Sequence, residues 1–229
     1  MTQERSNINT QQAIITLVDD DMALADSMRL LLKTSGHQCN VHGDANSLLR
    51  ALEANPQQLQ APGCLICDVR MPGLSGRDLF FQLRSQYPRM CWPIIFITGH
   101  AELQIAVDTL TQGAFDFIQK PFDPQRLLDT VSRALERSRQ LSSNLEFLLN
   151  YETCYSALTR QERSVMDLIL KNLTNKEISE TLQNSVRTIE LHRASVYRKM
   201  LVDSGITLSK IGERYHLLST STGLASVSI

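Results

Sequence analysis

No stretch of this 229-residue chain approaches the roughly 20 consecutive apolar residues of a membrane-crossing helix. An integral helical membrane protein is excluded, and no membrane partner is expected. No apolar signal core follows Met1: residues 1–10 are mostly polar. Residues 1–12 therefore read as a flexible tail, and the lack of an export signal favours the cytoplasm. Cysteines are few and odd in number, at positions 39, 64, 67, 91 and 154. Only Cys64 and Cys67 form a C-x-x-C, and no second Cys pair or Cys/His pair stands nearby to complete a zinc site. At this spacing on a strand the two thiols point to opposite faces. They read as small core residues in a reducing compartment. Internal repeats and long low-complexity tracts are also missing.

What remains is ordinary globular material: 42% of residues are apolar and 21% charged, enough to bury real cores. The length suits one large or two small domains. The net charge of −1 is unevenly spread. Residues 11–136 hold 10 basic against 14 acidic residues, whereas residues 158–200 hold 8 against 5. That asymmetry points to two domains, the second with an anionic partner.

From residue 13 to 136, apolar runs alternate with helical patterns. The runs are Ile14–Val18, Cys39–Val41, Cys64–Cys67, Pro93–Thr98 and Phe115–Ile118. Between and after them, apolar residues recur at spacings of 3 and 4. One helix face is Leu24, Met28, Leu31 and Leu32. The next is Leu48, Leu49 and Leu52, with Asp44 as N-cap. Leu79, Phe80 and Leu83 follow the start signal Ser75-x-x-Asp78. Leu103, Ala106, Val107 and Leu110 make the fourth face, and Leu127, Leu128, Val131 and Leu135 the fifth. Five strand–helix repeats specify an α/β fold, a parallel sheet covered on both faces.

Ligands of such sheets bind at the carboxyl ends of the strands. The first run ends in Asp19-Asp20-Asp21, the third in Asp68 and the fourth in Thr98; Lys120 follows the fifth. Clustered carboxylates repel unless a cation sits among them, and a hard divalent ion with oxygen ligands, Mg²⁺, fits. With charge neutralised, an anionic Asp can attack phosphorus and form an acyl phosphate. Lys120 can pair with the transferred group and the Thr98 hydroxyl can bond one of its oxygens. Each residue alone has a plainer reading: Asp21 as a helix cap, Asp68 as a turn residue, Thr98 as a strand end, Lys120 as surface. Their convergence favours the chemical reading.

Val18-Asp19-Asp20-Asp21, Cys67-Asp68-Val69-Arg70-Met71-Pro72-Gly73, Ile97-Thr98-Gly99-His100 and Asp116-Phe117-Ile118-Gln119-Lys120-Pro121-Phe122 resemble, in order, the motifs of a two-component receiver domain. His100 and the D-F-I-x-K-P-F run are similar to the FixJ subgroup. The resemblance implies a flavodoxin-like five-stranded parallel sheet of order 2-1-3-4-5. It implies that Asp68 accepts phosphate from a sensor histidine kinase. Asp20, Asp68 and the Arg70 carbonyl would bind Mg²⁺ directly, and Asp19 through water. Thr98 and Lys120 would grip the phosphoryl oxygens, Phe117 would rotate to report occupancy, and the Lys120–Pro121 bond would be cis.

Residues 137–156, with Leu141, Leu145 and Leu148, suit a linker helix continuing the fifth. From Leu158 the pattern is all helix. Thr159-Arg-Gln-Glu162 and Thr174-Asn-Lys-Glu177 read as capping boxes, and Ser185 as a third cap. The helices fall at about 160–171, 175–182 and 186–201. A short helix, a tight turn and a longer basic helix are the layout of a helix-turn-helix. These residues resemble the LuxR/NarL-type domain, with Gln183-Asn184 in place of its usual Gly-hydrophobic turn and Val186 in place of a common Pro. On the third helix Ile189, Val196 and Met200 share the core face. Arg187, Glu190, Leu191, Ala194 and Arg198 share the other, where Leu191 suits a thymine methyl and Glu190 a cytosine amine. Lys176, Arg187, Thr188, Arg193 and Lys199 are placed for phosphates. Ile206, Leu208, Ile211, Leu217 and Leu218 suggest a fourth helix.

The domain plan is thus a receiver at 13–136, a linker helix at 137–156, an all-α DNA-binding domain at 157–218 and a disordered tail at 219–229. The function implied is a phosphorylation-dependent transcription regulator. Its partners are a kinase, a near-palindromic promoter site, a second copy of the chain on phosphorylation, and RNA polymerase as a further one the resemblance allows. An Asp-nucleophile phosphatase would need an acidic residue two after Asp68, where Arg70 stands, so no enzyme beyond self-phosphotransfer and autodephosphorylation is expected. The remaining alternative is an interaction module without DNA binding.

Overall fold

Short apolar runs become strands here because helices on both sides let the central ones bury two faces. They are β1 (Ile14–Val18), β2 (Cys39–His42), β3 (Gly63–Asp68), β4 (Ile94–Thr98) and β5 (Asp116–Gln119). All neighbours pair parallel in the order β2-β1-β3-β4-β5, the order implied by the resemblance. Val18 lies opposite Cys67, and Asp68 opposite Ile97. The register therefore brings the ends of the three central strands to one edge.

The computed structural model describes residues 13–99 and 108–222. His100 and the helical face of Leu103, Ala106 and Val107 lie outside them; Leu110 sits in a helical stretch from Asp108 to Thr111. Two compact units divide at Ser143–Asn144.

In the first unit, α2 (Ala45–Ala54) and α3 (Gly76–Gln86) cover one face of the sheet, packing Leu48, Leu52, Leu79 and Phe80 on Leu65, Cys67 and Phe96. On the other face α1 (Met22–Thr34) and the start of α4 (Pro124–Ser156) bring Met28, Leu32, Leu127 and Val131 against Ile15, Leu17, Cys64 and Ile97. Cys64 and Cys67 thus occupy opposite cores, and burial pushes both thiols far above their ordinary range. The expected caps are present: Asp21 accepts from the Ala23 and Leu24 amides, Asp44 from Ser47 and Ser75 from Asp78. A short 3₁₀ turn at Pro56–Gln60, which the apolar pattern does not announce, buries Leu59 ahead of β3.

The second unit comprises α4 from Asn144 onward, α5 (Arg160–Leu170), α6 (Asn175–Leu182), α7 (Val186–Lys199) and α8 (Gly205–Thr222). Its core joins Leu148 and Tyr151 to Val165, Ile169, Ile178, Ile189, Val196 and Leu208. The division between units falls inside the expected linker for a packing reason. The Ser138 and Ser142 hydroxyls donate to the Cys91 and Gln60 carbonyls of the first unit, both at 2.7 Å, while Leu148 and Tyr151 are core of the second. Both capping boxes form, and Ser185 caps α7. The α6–α7 turn puts Gln183 at φ 54°, a left-handed position that Gly would occupy at less cost. Asn184 holds the turn, donating from its amide side chain to the Leu182 carbonyl at 3.2 Å and from its backbone N–H to Ser179 at 3.1 Å.

Two helix ends differ from the sequence pattern. α7 stops at Lys199, because Leu201 turns to φ 56°. α8 runs to Thr222, past the expected limit at Leu218, with Ser219 buried and its hydroxyl donating to the His216 carbonyl. Residues 219–222 therefore belong to the helix rather than to a disordered tail.

A buried carboxylate clamps α5 to α7. Glu162 Oε2 accepts from the Thr159 amide and from Lys199 Nζ, each at 2.7 Å, and Oε1 accepts from the Ser195 hydroxyl at 2.7 Å. Burial works to raise its pKa, but the Lys199, Ser195 and Thr159 bonds outweigh that and hold it at about 2.

Glu162→Gln is expected to destabilise the second unit by about 2 kcal/mol at neutral pH, the scale of hydrogen bonds to a charged group, in denaturant unfolding of the whole chain. Glu162 binds its proton less tightly folded than unfolded, where its pKa is about 4.3. Its contribution is therefore complete above about pH 5 and is lost as pH falls toward 2. The gap between wild type and variant should close over that window, and a constant gap would refute the assignment. At Gly76, an added methyl would press on the Asp68 carbonyl and lie 2.9 Å from Cys67 Sγ. Gly76→Ala should cost about 1–3 kcal/mol, against under about 1 kcal/mol for Gly43→Ala, whose methyl would meet only the end of Met22 at 3.4 Å.

Candidate functional site

Four strand ends build one pocket. Asp19 follows β1, fully buried; its Oδ1 accepts from the Asp21 amide at 2.9 Å. Asp68 ends β3, 8% exposed, with Oδ1 accepting from the Val69 amide at 2.9 Å. No hydrogen bond with a described residue engages Asp68 Oδ2. Lys120 follows β5, its backbone N–H donating to the Thr98 carbonyl at 2.7 Å. Its Nζ lies 3.1 Å from Asp19 Oδ2 and 3.3 Å from Asp68 Oδ1. The Lys120–Pro121 bond is cis. Asp20 is exposed, and one oxygen from each of Asp19, Asp20 and Asp68 lies within 4.8 Å of the others.

Two of the three carboxylates, Asp19 and Asp68, share one ammonium. Burial pushes Asp68 up to about 6; Lys120 opposes this and Asp19 adds to it. Burial also works against the charge on Lys120, but Asp68 and Asp19 outweigh it and hold the ammonium above its ordinary range. The negative excess and the all-oxygen donor set suit a small hard divalent cation. Arg70 is exposed two residues beyond Asp68. Thr98 is fully buried, its hydroxyl donating to the Gly99 carbonyl at 3.2 Å. Phe117 lies opposite Phe96 in the sheet and is half-buried. Chemically, the pocket can present an anionic oxygen to phosphorus with positive charge beside it.

On the second unit, Ile189 and Val196 of α7 and its C-cap Met200 are buried, and α7 exposes Arg187, Glu190, Leu191, Ala194 and Arg198. Leu191 is 67% exposed, an apolar side chain left in water outside its own unit's core. Lys176 is exposed on α6, and Thr188 is half-buried with its hydroxyl 2.7 Å from Ser185 Oγ. Two residues expected on phosphates make hydrogen bonds within the unit. Arg193 donates to the Tyr197 hydroxyl at 2.7 Å and the Leu173 carbonyl at 3.4 Å. Lys199 is bound by Glu162 and the Ala157 carbonyl.

Two supporting residues escape the sequence pattern. Gly76 lets α3 begin against the Asp68 carbonyl; the only signal is a small residue directly after the Ser75 cap. Glu162 is legible as part of a capping box, but its grip on α7 is not.

Known proteins agree with this geometry in both halves. Residues 15–132 match the family "Response regulator receiver domain", and residues 156–209 match "Bacterial regulatory proteins, luxR family". The chain is 32% identical over 210 residues to the transcriptional regulatory protein FixJ of Bradyrhizobium diazoefficiens, covering 92% of this chain and 99% of that protein. It is 33% identical over 210 residues to the response regulator protein TmoT of Ectopseudomonas mendocina, covering 92% of each. Among solved structures, response regulator StyR superposes with a TM-score of 0.79 at 31% identity, covering 89% of this chain and all of that one. Because both domain families match in order and the relatives align over nearly their whole length, the chain belongs to the FixJ-like response regulators, phosphorylation-dependent DNA-binding regulators of transcription with a receiver domain and a LuxR-type helix-turn-helix.

Proposed function

We propose that Asp68 is the phosphoacceptor, fed by a phosphohistidine of a sensor kinase. The observation that carries this is the position of Asp68 at the end of β3, with Oδ1 held by the Val69 amide and Lys120 and Oδ2 uncommitted. Oδ2 attacks phosphorus, a P–O bond forms as the P–N bond breaks, and the histidine nitrogen leaves with the electron pair. Asp19, Asp20, Asp68 and the Arg70 carbonyl would hold Mg²⁺, which when bound supplies the positive charge that phosphoryl oxygens need. Lys120 then pairs with the new phosphoryl group, and Thr98 turns its hydroxyl from the Gly99 carbonyl to a phosphoryl oxygen. Phe117 follows into the space that Thr98 vacates. The altered surface, made by the helical stretch from Asp108 to Thr111, β5 and the start of α4, favours a dimer.

A dimer offers two α7 helices to a near-palindromic promoter site in the cytoplasm, with RNA polymerase as the downstream partner. Arg187, Glu190, Leu191, Ala194 and Arg198 face the bases, with Lys176 and Thr188 toward the backbone. No turnover of an external substrate is proposed beyond phosphotransfer to Asp68 and its hydrolysis.

Asp68→Asn should abolish incorporation of acid-stable but base-labile phosphate from a small phosphodonor and leave promoter affinity unresponsive to it. Lys120→Ala should slow phosphotransfer by about 100-fold, the usual effect of removing one charge-stabilising donor. Unchanged phosphorylation of Asp68→Asn would refute the assignment.

A further inference from the structure

An open groove of about 330 Å³ runs between the first turn of α5, the α6–α7 turn and one flank of α7. Its polar lining is Arg160, Gln161, Ser164, Asn184 and His192, above the apolar Val165 and Leu182. No Asp or Glu lines it. The two larger clefts described on the first unit are lined by Asp26 and by Asp116, Asp123 and Asp129 respectively. A groove that offers donors without a carboxylate is matched to an anion.

The donors divide clearly. Ser164 donates to the Arg160 carbonyl and the Asn184 amide to the Leu182 carbonyl, so both are committed. The side chains of Arg160, Gln161 and His192 make no hydrogen bond or ion pair with any described residue. Three other cations of this unit are occupied. Arg163 donates to the Ser156 carbonyl and lies over Tyr155, Arg193 donates to Tyr197, and Lys199 is paired with Glu162. Arg160 thus keeps a full fork of N–H donors for a phosphate. His192 lies one helical step, about 100°, from the exposed Leu191, so the groove borders the strip of α7 that faces the bases.

We propose that this groove seats a backbone phosphate of bound DNA at the edge of the major groove that α7 enters, held by Arg160, Gln161 and a ring N–H of His192. The proposal rests on the DNA-binding reading above. It assigns to the start of α5 the anchoring work that Arg193 and Lys199, occupied inside the unit, do not supply. An anchor here fixes the angle of α7 in the groove without reading sequence.

The test uses the full chain, activated with a small phosphodonor, and a fluorescent 30-base-pair duplex of random sequence, titrated over a range of salt concentrations. Arg160→Gln should weaken binding by about 5- to 10-fold near 0.1 M salt and reduce the slope of log K against log salt by about 0.9, the loss of one phosphate contact. Gln161→Glu, which adds a negative charge at the groove, should weaken binding further. Lys171→Gln, the same charge loss at the far end of α5, should leave the slope unchanged. Equal effects of Arg160→Gln and Lys171→Gln would overturn the site in favour of general charge. So would an unchanged slope in Arg160→Gln. Wild type that fails to bind the duplex would instead refute the DNA-binding reading itself. The His192 ring resonance should shift with duplex and not with inorganic phosphate at equal ionic strength. A shift with inorganic phosphate alone would show an adventitious ion only. Lost transcriptional output with unchanged DNA binding would assign the groove to a protein partner and overturn the proposal.

Discussion

The ammonium of Lys120, set between Asp19 and Asp68, is the contact on which the first unit's chemistry depends. Three carboxylates reach this pocket because β1 and β3 are neighbours and end in register. Lys120 arrives from β5, two strands beyond β3, and is aligned by its own backbone bond to Thr98. One ammonium cannot neutralise three carboxylates, so the pocket keeps an excess of negative charge. That excess suits a hard cation and, through Asp19, adds to the burial that is the main cause of the raised Asp68. The site is held in readiness by incomplete compensation.

The second unit uses the same ingredients to the opposite effect. Glu162 and Asp68 are both buried carboxylates beside a lysine, yet Glu162 is held down at about 2 and Asp68 raised to about 6. The difference lies in donors. Glu162 receives an ammonium, a hydroxyl and a backbone amide, which together exceed the cost of burial. Asp68 receives one amide and shares its ammonium with Asp19. A satisfied carboxylate locks α7 against α5; an under-satisfied one leaves an oxygen open, as the proposed phosphoacceptor role of Asp68 requires. Placement and donor count, rather than residue type, separate a structural acid from a chemical one.

Much of this was legible in the chain because it is local. Strands and helices follow from periodicity, caps from Asp21, Asp44, Ser75, Thr159, Thr174 and Ser185, and the pocket from carboxylates placed where apolar runs stop. What sequence reading did not show depends on tertiary partners. Arg193 and Lys199 look like phosphate ligands on a basic helix; only packing brings Tyr197, Leu173, Glu162 and Ala157 to them. The division of α4 between two units depends on Ser138 and Ser142 finding carbonyls near β3 and β4. The extension of α8 to Thr222 depends on burial of Ser219, in a stretch whose Ser/Thr content reads as disorder.

The energy available to the proposed switch can be bounded from the same contacts. In this structure Thr98 spends its one hydroxyl hydrogen on the neutral Gly99 carbonyl. A phosphoryl oxygen on Asp68 competes for that hydrogen as a charged acceptor, and such bonds are worth about 1 kcal/mol more than neutral ones. A bias of about 1.4 kcal/mol is a tenfold change in population, far short of the roughly 5.5 kcal/mol needed to carry an equilibrium from 1:99 to 99:1. Thr98 alone therefore cannot drive a complete transition. In the proposed switch the remainder would come from Lys120, exchanging carboxylate partners for the phosphoryl group, and from association, where a small bias in each protomer would count twice. An output that requires two chains on one DNA site is thus the form of regulation suited to a pocket whose single-site leverage is small.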